Sequence, residues 1–376
     1  MKAKVSLLRE MALPRPYTTS RPLEIVEADL GDPGPGQLLV KMAAAGLCHS
    51  DLSVINGDRP RDTPVALGHE ASGVVQAIGP GVTRFAAGDH IVMVFVASCG
   101  HCVPCAEGRP ALCEPGAVAG ANGTLLNGDR KISVDGAIVN HHIGVSAFST
   151  YAVMSENSCV KIPKDIPLDK AALLGCAVLT GVGAVLNSGN LKMGQSCAIV
   201  GLGGVGLAAV LGAIAAGART IVVADLSEEK RKHAMDLGAT HAIDPRAEGA
   251  VAQVKEWTMG GVDLAVELAG AVPALQFAYD ITRRGGTTVT AGLPHPEAKL
   301  SIPAVSLTAE ERNLKGSYVG SCVPVRDIPR FAQMMQQGQL PIEKLMTHRL
   351  KLDEINEGFE RLAAGDAIRQ VIVFDD

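Results

Sequence analysis

The chain has 376 residues, of which 47% are hydrophobic and 19% charged, so it can bury the cores of about two domains and is not a disordered chain. Its formal net charge is −5, from 34 basic and 39 acidic residues, which argues against an electrostatic grip on nucleic acid or an anionic membrane. The 42 glycines and 21 prolines are spread without a period, which excludes a collagen-like chain.

The region from residue 1 to about residue 177 consists of short β-rich segments that glycine and proline interrupt. Residues 37–40, 71–78 and 90–96 are predicted strands. The charged N-terminal sequence leaves no apolar stretch for a signal peptide, and an odd number of cysteines, nine, favours a reducing compartment. We therefore predict a cytoplasmic protein.

From about residue 178 to residue 320, predicted strands alternate with segments of helix length. The predicted strands are residues 197–200, 221–225, 241–243, 263–268, 287–293 and 314–319. Residues 228–237 are a predicted helix, with Ser227 as its N-cap and Gly238 just after its end. This rhythm predicts an α/β region built on a doubly wound parallel sheet. A short α/β tail follows residue 320 and ends in a predicted strand at residues 370–374.

One stretch is compatible with a different class of protein. Residues 193–218 carry no charge and are long enough for a transmembrane helix. The same stretch holds seven glycines, however, and a charged, periodic pattern typical of soluble helices follows it. We therefore predict no membrane segment, and we interpret the stretch as a strand, a turn and a helix.

A glycine-rich motif, Gly201-Leu202-Gly203-Gly204-Val205-Gly206, opens the helix that follows the first of these strands. In a dinucleotide-binding motif, Gly201 permits the tight turn, Gly203 lets the backbone approach the pyrophosphate, and Gly206 packs the helix on the strand. Asp225 ends the next strand, 19 residues after Gly206, where it would bind the adenosine ribose and repel a 2′-phosphate. The motif thus predicts NAD binding. The alternatives are a packing turn without nucleotide and a capping aspartate.

Four cysteines lie close together in the sequence, at positions 99, 102, 105 and 113. Four thiolates at this spacing can surround one zinc ion and leave no position for substrate, which is typical of a structural site. An iron–sulfur cluster uses similar spacings, and free thiols are the third alternative. We predict structural zinc.

A second candidate metal site is dispersed along the chain. Cys48, His69 and Cys176 would give two thiolates and one imidazole, with the fourth zinc position open to water or substrate. Spacing alone does not connect these residues. Taken singly, a buried cysteine is more often a small core side chain, and a buried histidine more often a hydrogen-bonded one.

Together these segments resemble a zinc-dependent medium-chain alcohol dehydrogenase of the dimeric, long-loop branch, nearly from end to end. The segments that carry the resemblance are Gly46-Leu-Cys48-His-Ser50-Asp51, Gly68-His69-Glu70, the four-cysteine segment, Gly175-Cys176 with Thr180-Gly181, Gly201–Gly206, Asp225 and Ile368-Arg369. The resemblance implies a GroES-like catalytic domain (residues 1–177 and 321–376, with a structural-zinc lobe at about 97–115) and a Rossmann NAD-binding domain (residues 178–320).

The resemblance also implies roles for individual residues. Cys48, His69 and Cys176 would bind a catalytic zinc, with Glu70 behind the metal and Asp51 accepting the outer N–H of His69. Ser50 would accept the hydroxyl proton of the alcohol before hydride passes from the carbinol carbon to NAD. The cysteines at 99, 102, 105 and 113 would hold a structural zinc, which gives two zinc ions per chain. The residues placed at the cofactor are His49, Thr180, Gly201, Gly203, Gly204, Val205, Gly206, Asp225, Lys230, Ala291, Leu293 and Arg369.

The positions that correspond to the family's substrate pocket are Arg59, Phe95, Leu112, His142, Ile143, Leu293 and Tyr318. They are mostly apolar, so we predict a medium-chain or aromatic alcohol, primary or secondary, rather than a polyol. A relay histidine of many relatives is replaced here by Ser53, which cannot act as a base near neutral pH. The long segment between Cys113 and Phe148 favours a homodimer. Alternatives are a dehydrogenase of polyols or amino alcohols and a non-catalytic NAD-binding relative.

Overall fold

A computed structural model describes residues 1–374 of the chain. In chain order its strands are β1 (Lys2–Leu8), β2 (Leu23–Leu30), β3 (Gln37–Gly46), β4 (Val65–Ala66), β5 (Ala71–Ile78), β6 (His90–Met93), β7 (Ile132–Val134), β8 (Ala137–His141), β9 (Tyr151–Ser155), β10 (Cys159–Ile162), β11 (Ser196–Val200), β12 (Thr220–Ala224), β13 (His241–Ile243), β14 (Val262–Glu267), β15 (Thr282–Thr290), β16 (Asn313–Gly316), β17 (His348–Leu350) and β18 (Gln370–Val373).

The α-helices are α1 (Tyr17–Ser20), α2 (His49–Ile55), α3 (Val103–Ala106), α4 (Glu114–Ala121), α5 (Leu168–Ala171), α6 (Ala177–Gly183), α7 (Gly204–Ala215), α8 (Glu228–Leu237), α9 (Ala250–Trp257), α10 (Val272–Ile281), α11 (Ala304–Ala309), α12 (Pro324–Gln336) and α13 (Ile355–Ala364). Short 3-10 turns lie between several of them, among which Pro110–Leu112 and Ala172–Gly175 matter for the sites described below.

The chain divides into two compact units. Unit 1 comprises Met1–Cys176, Val323–Gln336 and Met346–Asp376, and unit 2 comprises Ala177–Cys322 and Gln337–Leu345. The boundaries predicted from sequence differ from these by one or two residues at the junctions near 177 and 321, and by residues 337–345, which the prediction groups with the catalytic domain. They belong instead to unit 2, where Ile342 and Leu345 are fully buried.

Unit 1 is built from two β-structures. Five strands close into a barrel in the order β1-β2-β7-β8-β4, and the others form a sheet in the order β10-β6-β5-β3-β18-β17, with β9 also paired to β3. The sheet packs on a core that includes Leu38, Met42, Phe148 and Phe359. In this sheet β18 lies between β3 and β17. The C-terminal strand β18 therefore pairs directly with β3, the long strand that leads to Cys48.

Unit 2 is a six-stranded sheet in the order β13-β12-β11-β14-β15-β16, and every pairing in it is parallel. All five residues of β11 are buried, as expected for a parallel strand covered on both faces. The predicted helix is confirmed: α8 has the expected bounds, Ser227 caps it by accepting from the N–H of Lys230, and Gly238 ends it in the left-handed conformation.

Among residues 1–374, no single helix is both long and apolar enough to cross a membrane; one bent pair, Leu168–Gly175 with Ala177–Ser188, meets the criteria of length and composition alone. The uncharged stretch singled out in the sequence contributes β11 and α7 to the parallel sheet and its covering helices. Nine of the twelve residues of α7 are buried in unit 2, which accounts for the apolar composition.

Candidate functional site

Unit 1 brings together the three dispersed residues Cys48, His69 and Cys176. Cys48 is the N-cap of α2 directly after β3, His69 lies between β4 and β5, and Cys176 follows the turn Ala172–Gly175. Their ligand atoms all lie within 4.8 Å of one another, and the Cys176 Sγ is 3.5 Å from the His69 Nε2. All three side chains are buried. Two sulfurs and one nitrogen converging at this range fit a zinc ion with one open position.

The electrostatics of this cluster favour a cation. A hydrogen bond from Cys176 lowers the pKa of Cys48 well below its usual value, while the same bond and burial raise the pKa of Cys176. Burial opposes a charge on His69, but the Asp51 carboxylate and the Cys48 sulfur raise the pKa of this imidazole to about 10. A group of donors that attracts a proton so strongly also suits a metal ion, which replaces protons on its ligands.

Asp51 supports the imidazole of His69 from behind. It lies in the first turn of α2, is fully buried, and has its carboxylate 3.1 Å from the His69 Nδ1. Its Oδ1 also accepts the backbone N–H of Gly68 at 3.1 Å. When Nδ1 donates to this carboxylate, Nε2 is left to face Cys176. This arrangement sets both the tautomer and the ring orientation that a metal-binding histidine needs.

A buried ion pair lies beside this cluster. The guanidinium of Arg369 contacts the carboxylate of Glu70, and its second terminal nitrogen donates to the carbonyl of Leu47 at 3.1 Å. Arg369 is 4% exposed and Glu70 is fully buried. In unit 1, therefore, Arg369 ties the strand that begins at Gln370 to the segments that carry Cys48 and His69. The role at the pyrophosphate, implied by resemblance, stays a prediction.

The four cysteines at positions 99, 102, 105 and 113 also converge, with all sulfurs within 4.8 Å of one another. Backbone N–H groups turn toward them, as when Cys99 donates to the Cys113 Sγ at 3.1 Å. A backbone hydrogen bond from His101 lowers the pKa of Cys99 to about 6, while burial raises that of Cys105 to about 12. Three of the four are only half-buried. Four sulfurs without an open position fit a structural zinc.

Two of the pocket residues expected in unit 1, Phe95 and His142, contact the His69 imidazole. The Phe95 ring packs edge-on against His69, with the ring centroids 5.2 Å apart, and His142 lies edge-on to the same imidazole at 5.8 Å. Leu112 is 40% exposed on the turn Pro110–Leu112 of the cysteine lobe. The backbone N–H of Arg59 donates to the Ser53 carbonyl. Ile143 follows His142 with a left-handed φ of 42°.

The residues of the expected proton relay lie on α2. Ser50 is half-buried in the first turn of this helix, two residues after Cys48. The hydroxyl of Ser53 donates to the carbonyl of His49 at 2.8 Å, the back-bond that serine commonly forms within a helix. Ser53 is therefore occupied by the helix backbone.

In unit 2 the glycine-rich motif forms the turn at Gly201 and the start of helix α7, and so joins strand β11 to that helix. A Cβ on Gly206 would overlap the Gly201 carbonyl, whereas a Cβ on Gly203 would meet nothing within 4 Å. Gly206 is therefore required for packing, and the open space at Gly203 suits close approach of a ligand. Within residues 1–374 no side chain caps the start of α7, which leaves room for a phosphate at its first N–H groups.

The other cofactor candidates of unit 2 cluster at the carboxyl edge of the same sheet. The Asp225 carboxylate accepts the N–H groups of Leu202 at 2.7 Å and Ser227 at 2.9 Å, and so joins the glycine turn to the start of α8. The predicted strand at residues 287–293 is displaced along the chain, because β15 begins at Thr282 and ends at Thr290, and Leu293 lies in the loop beyond it. Ala291, Leu293 and Tyr318 follow the ends of β15 and β16 at this edge, where ligands bind in doubly wound sheets.

Two further cofactor candidates, Thr180 and Val205, lie on neighbouring helices of unit 2. A Cβ on Gly181 would overlap the Val205 carbonyl, so glycine lets α6 approach the start of α7 closely. Lys230 donates its backbone N–H to Ser227 in the first turn of α8. Its place near the adenosine ribose stays a prediction.

Sequence reasoning missed one relation within the site. The Nε2 of His142 lies 3.4 Å from the Oδ1 of Asp51, and burial lowers the pKa of His142 to about 4. His142 is 3% exposed, although the resemblance placed it in the wall of the substrate pocket. No periodicity distinguishes the two locations, because His142 lies in the short loop just after β8.

Comparison with known proteins gives a consistent result. Residues 34–164 match the family model for the alcohol dehydrogenase GroES-like domain, and residues 204–337 match the model for zinc-binding dehydrogenases. The chain is 41% identical over 362 residues to a Mycobacterium tuberculosis protein named as an alcohol dehydrogenase D, covering 95% of this chain and 98% of the relative.

Two further matches extend over the whole chain. An NDMA-dependent alcohol dehydrogenase of Amycolatopsis methanolica is 38% identical over 378 residues, covering 99% of both chains. Among solved structures, the benzyl alcohol dehydrogenase of Acinetobacter calcoaceticus is 31% identical, with a TM-score of 0.93 and 100% of both chains covered.

Proposed function

The chain belongs to the zinc-dependent medium-chain alcohol dehydrogenase family, and we propose that it transfers hydride reversibly between an alcohol and NAD. The substrate in this proposal is a primary or secondary alcohol, of medium chain length or aromatic, and the product is the aldehyde or ketone. The buried cluster of Cys48, His69 and Cys176 carries the proposal, since it offers three ligands, the number typical of a catalytic rather than a structural zinc.

The residues of unit 1 would prepare the alcohol for oxidation. Zinc held by the three ligands supplies Lewis acidity, which favours loss of the hydroxyl proton near neutral pH. Asp51 keeps the His69 imidazole oriented, and Ser50, two residues after Cys48, would accept the hydroxyl proton in a hydrogen bond. Because Ser53 donates its hydroxyl to His49, the proton would then pass to water rather than along a histidine relay.

The apolar Phe95 ring beside the candidate zinc site supports an aromatic or medium-chain substrate. The Phe95 ring stands edge-on to His69, so a hydrocarbon group next to the reacting carbon would contact an aromatic face. The similarity to a benzyl alcohol dehydrogenase supports the same substrate class. Polyols and amino alcohols would leave polar groups unpaired against this ring.

Unit 2 would bind NAD through the glycine turn and the start of α7. NAD, when bound, accepts the hydride. The open approach at Gly203 suits the pyrophosphate, and Asp225 would accept the adenosine ribose hydroxyls. Two backbone N–H groups orient this carboxylate, so a 2′-phosphate would meet a fixed negative charge. We therefore expect a preference for NAD over NADP.

The remaining parts of the proposal are a structural zinc on the four cysteines, which gives two zinc ions per chain, and a cytoplasmic homodimer. The closed set of four sulfurs supports the second zinc. The dimer is supported by the long segment between Cys113 and Phe148, and light scattering after size-exclusion chromatography would test it.

The deciding experiment follows nicotinamide absorbance while the zinc-loaded protein is incubated with primary, secondary, benzylic and polyol alcohols. Each alcohol is run with NAD and with NADP, before and after treatment with a zinc chelator. Because one relative is named NDMA-dependent, a parallel arm adds NDMA and follows aldehyde formation. Chelator-sensitive NADH formation that is fastest with benzylic or medium-chain alcohols is the expected result.

Other outcomes would redirect the proposal in distinct ways. Turnover restricted to polyols or amino alcohols would replace the substrate class, and a preference for NADP would contradict the role of Asp225. Turnover only in the NDMA arm would contradict release of NADH as the product. Silence in all arms, with two zinc ions bound, would indicate a non-catalytic NAD-binding relative.

A further inference from the structure

We propose that His142 is a positioning residue that donates from its Nε2–H to the Asp51 carboxylate, so that one buried carboxylate is held by two imidazole rings. This inference rests on the proposed zinc site, because Asp51 acts on the metal only through His69. It assigns His142 a role in the metal centre in place of a role in the wall of the substrate pocket.

The first argument is the geometry of the three side chains. The Asp51 carboxylate lies 3.1 Å from the His69 Nδ1 and its Oδ1 lies 3.4 Å from the His142 Nε2. The two imidazole rings meet edge-on, with centroids 5.8 Å apart and an angle of 69° between their planes. The second distance is only about 0.2 Å beyond the usual range of an N–H···O bond, so a small side-chain rotation closes it.

The second argument is that both groups lack enough partners. Asp51 is fully buried, and its Oδ2 has only the His69 Nδ1, which is 3.1 Å away and also faces Oδ1, as a neighbouring donor in the described part of the chain. His142 is 3% exposed, and neither of its ring nitrogens forms a hydrogen bond within the same described part of the chain. Burying such groups without hydrogen-bond partners lowers the stability of the folded chain. A bond from the Nε2–H of His142 to the Asp51 carboxylate gives this buried imidazole a partner and adds a second donor side chain to the carboxylate.

The third argument is how the backbone fixes His142. Strand β8 pairs with β4, and the N–H of His142 donates to the Ala66 carbonyl at 3.2 Å and to the Ser146 hydroxyl at 3.1 Å. Ala66 lies three residues before His69, so the two histidines are carried by paired backbone. Ile143 directly follows with a left-handed φ of 42°, a costly conformation for a β-branched residue that persists only where the surroundings enforce it.

The test uses the matched variants H142M and H142Q in the zinc-loaded protein. Methionine and glutamine have nearly the same length, but only glutamine can donate a hydrogen bond to Asp51. We expect H142M to lose the zinc of the Cys48 cluster to a chelator about 10-fold faster than wild type, and H142Q to lose it at most about 3-fold faster. The zinc of the four-cysteine lobe serves as the internal control for folding.

A double-mutant cycle shows whether His142 acts through Asp51. In a D51N background we expect H142M to change the zinc release rate less than 2-fold, because the carboxylate that it positions is gone. Cobalt substituted into the site adds a spectroscopic readout, and H142M should shift its visible bands where H142Q does not. Independent, multiplying effects of D51N and H142M would overturn the proposal.

A measurement on the unaltered protein covers the case in which H142M does not fold. With histidines labelled by ¹⁵N, the ring nitrogens of His142 should show the Nε2–H tautomer, and the Nδ1–H tautomer would contradict the proposal. Wild type that binds no zinc at Cys48, His69 and Cys176 would instead contradict the proposed function. A normal zinc site with release unchanged in H142M, and an altered KM for alcohol alone, would return His142 to the pocket wall.

Discussion

Unit 1 contains two sulfur-rich clusters that differ in burial, in ligand number and in the way the chain builds them. The four cysteines of the lobe lie within 15 residues, and three of them are half-buried. Cys48, His69 and Cys176 come from three distant segments and are all buried. A site assembled locally can fold around a metal by itself, whereas the dispersed site requires the surrounding sheet to be in place.

The difference extends to the groups behind the ligands. In the lobe, backbone N–H groups of Cys99, Cys102 and Gly116 point at sulfur. Around the dispersed cluster, side chains rather than backbone groups support the ligands. Asp51 lies behind His69, and the ion pair of Glu70 and Arg369 lies beside the cluster. Side-chain support can be adjusted to a reaction, while backbone support only fixes a shape. The comparison supports the proposal that the lobe stabilises the fold and that the dispersed cluster takes part in the reaction.

The largest expected effect is the loss of turnover on removing a ligand of the dispersed cluster. For C48A we expect one zinc fewer per chain and a kcat lower by on the order of 10³-fold, because several kcal/mol of charge stabilisation are lost. Metal analysis and steady-state kinetics measure both. C159A is the matched control, since Cys159 is another buried cysteine of unit 1 outside both clusters. Equal losses in both variants would refute the assignment.

Removing a ligand of the lobe should act on stability instead. For C105A we expect the lobe zinc to be lost and the free energy of unfolding to fall by on the order of 3 kcal/mol, since metal binding there is coupled to folding. The kcat of the folded molecules should stay within about 3-fold of wild type. Denaturant unfolding with parallel kinetics separates the two quantities. A C105A protein of normal stability without activity would reverse the comparison between the clusters.

A smaller effect on substrate preference is expected from truncating the apolar side chain next to each cluster. The resemblance assigns both Phe95 and Leu112 to the substrate pocket, but Phe95 contacts His69 while Leu112 is 40% exposed on the lobe. We expect F95A to lower kcat/KM for benzyl alcohol, relative to ethanol, by about 10-fold, since an aromatic contact contributes about 1 kcal/mol or more. L112A should change the same ratio by less than about 3-fold. Equal changes would place the lobe in the pocket.

Local patterns predicted local structure well. The helix at residues 228–237 has the predicted bounds, because Ser227 and Gly238 act on the backbone within one turn of themselves. The four cysteines could be grouped for the same reason. By contrast, His69 and Cys176 are 107 residues apart, and only the pairing of β3, β5 and β6 and the turn before Cys176 bring them together. Spacing could not show this, and the resemblance to a known family supplied it.

The physical signal in the sequence was ambiguous at three places. The run Thr287–Val289 continues into small and apolar residues up to Leu293, so nothing in the pattern marks the end of β15 at Thr290. Residues 337–345 look like part of the C-terminal tail, yet they pack in unit 2. His142 is the third example, since a histidine among apolar residues can line a pocket or support a ligand with the same sequence around it.

The smallest expected effect concerns His141, the neighbour of His142 in the barrel that backs the dispersed cluster. Burial lowers the pKa of His141 to about 4, from an ordinary value of 6.5. Its Nε2 accepts the N–H of Lys131 at 3.1 Å, so that nitrogen must stay unprotonated. The unfolded chain therefore binds a proton more readily than the folded one. Stability from the neutral ring is complete above about pH 6.5 and is lost as the pH falls toward 4.

Between pH 7.5 and pH 5.5 this linkage amounts to about 1 kcal/mol of unfolding free energy. In H141Q the amide oxygen can still accept the Lys131 N–H, but it does not titrate, so the fall in stability over this range should be smaller by that amount. Urea unfolding of both proteins at the two pH values measures the difference, and zinc loss common to both cancels. Identical slopes would mean that His141 is not buried as a neutral ring.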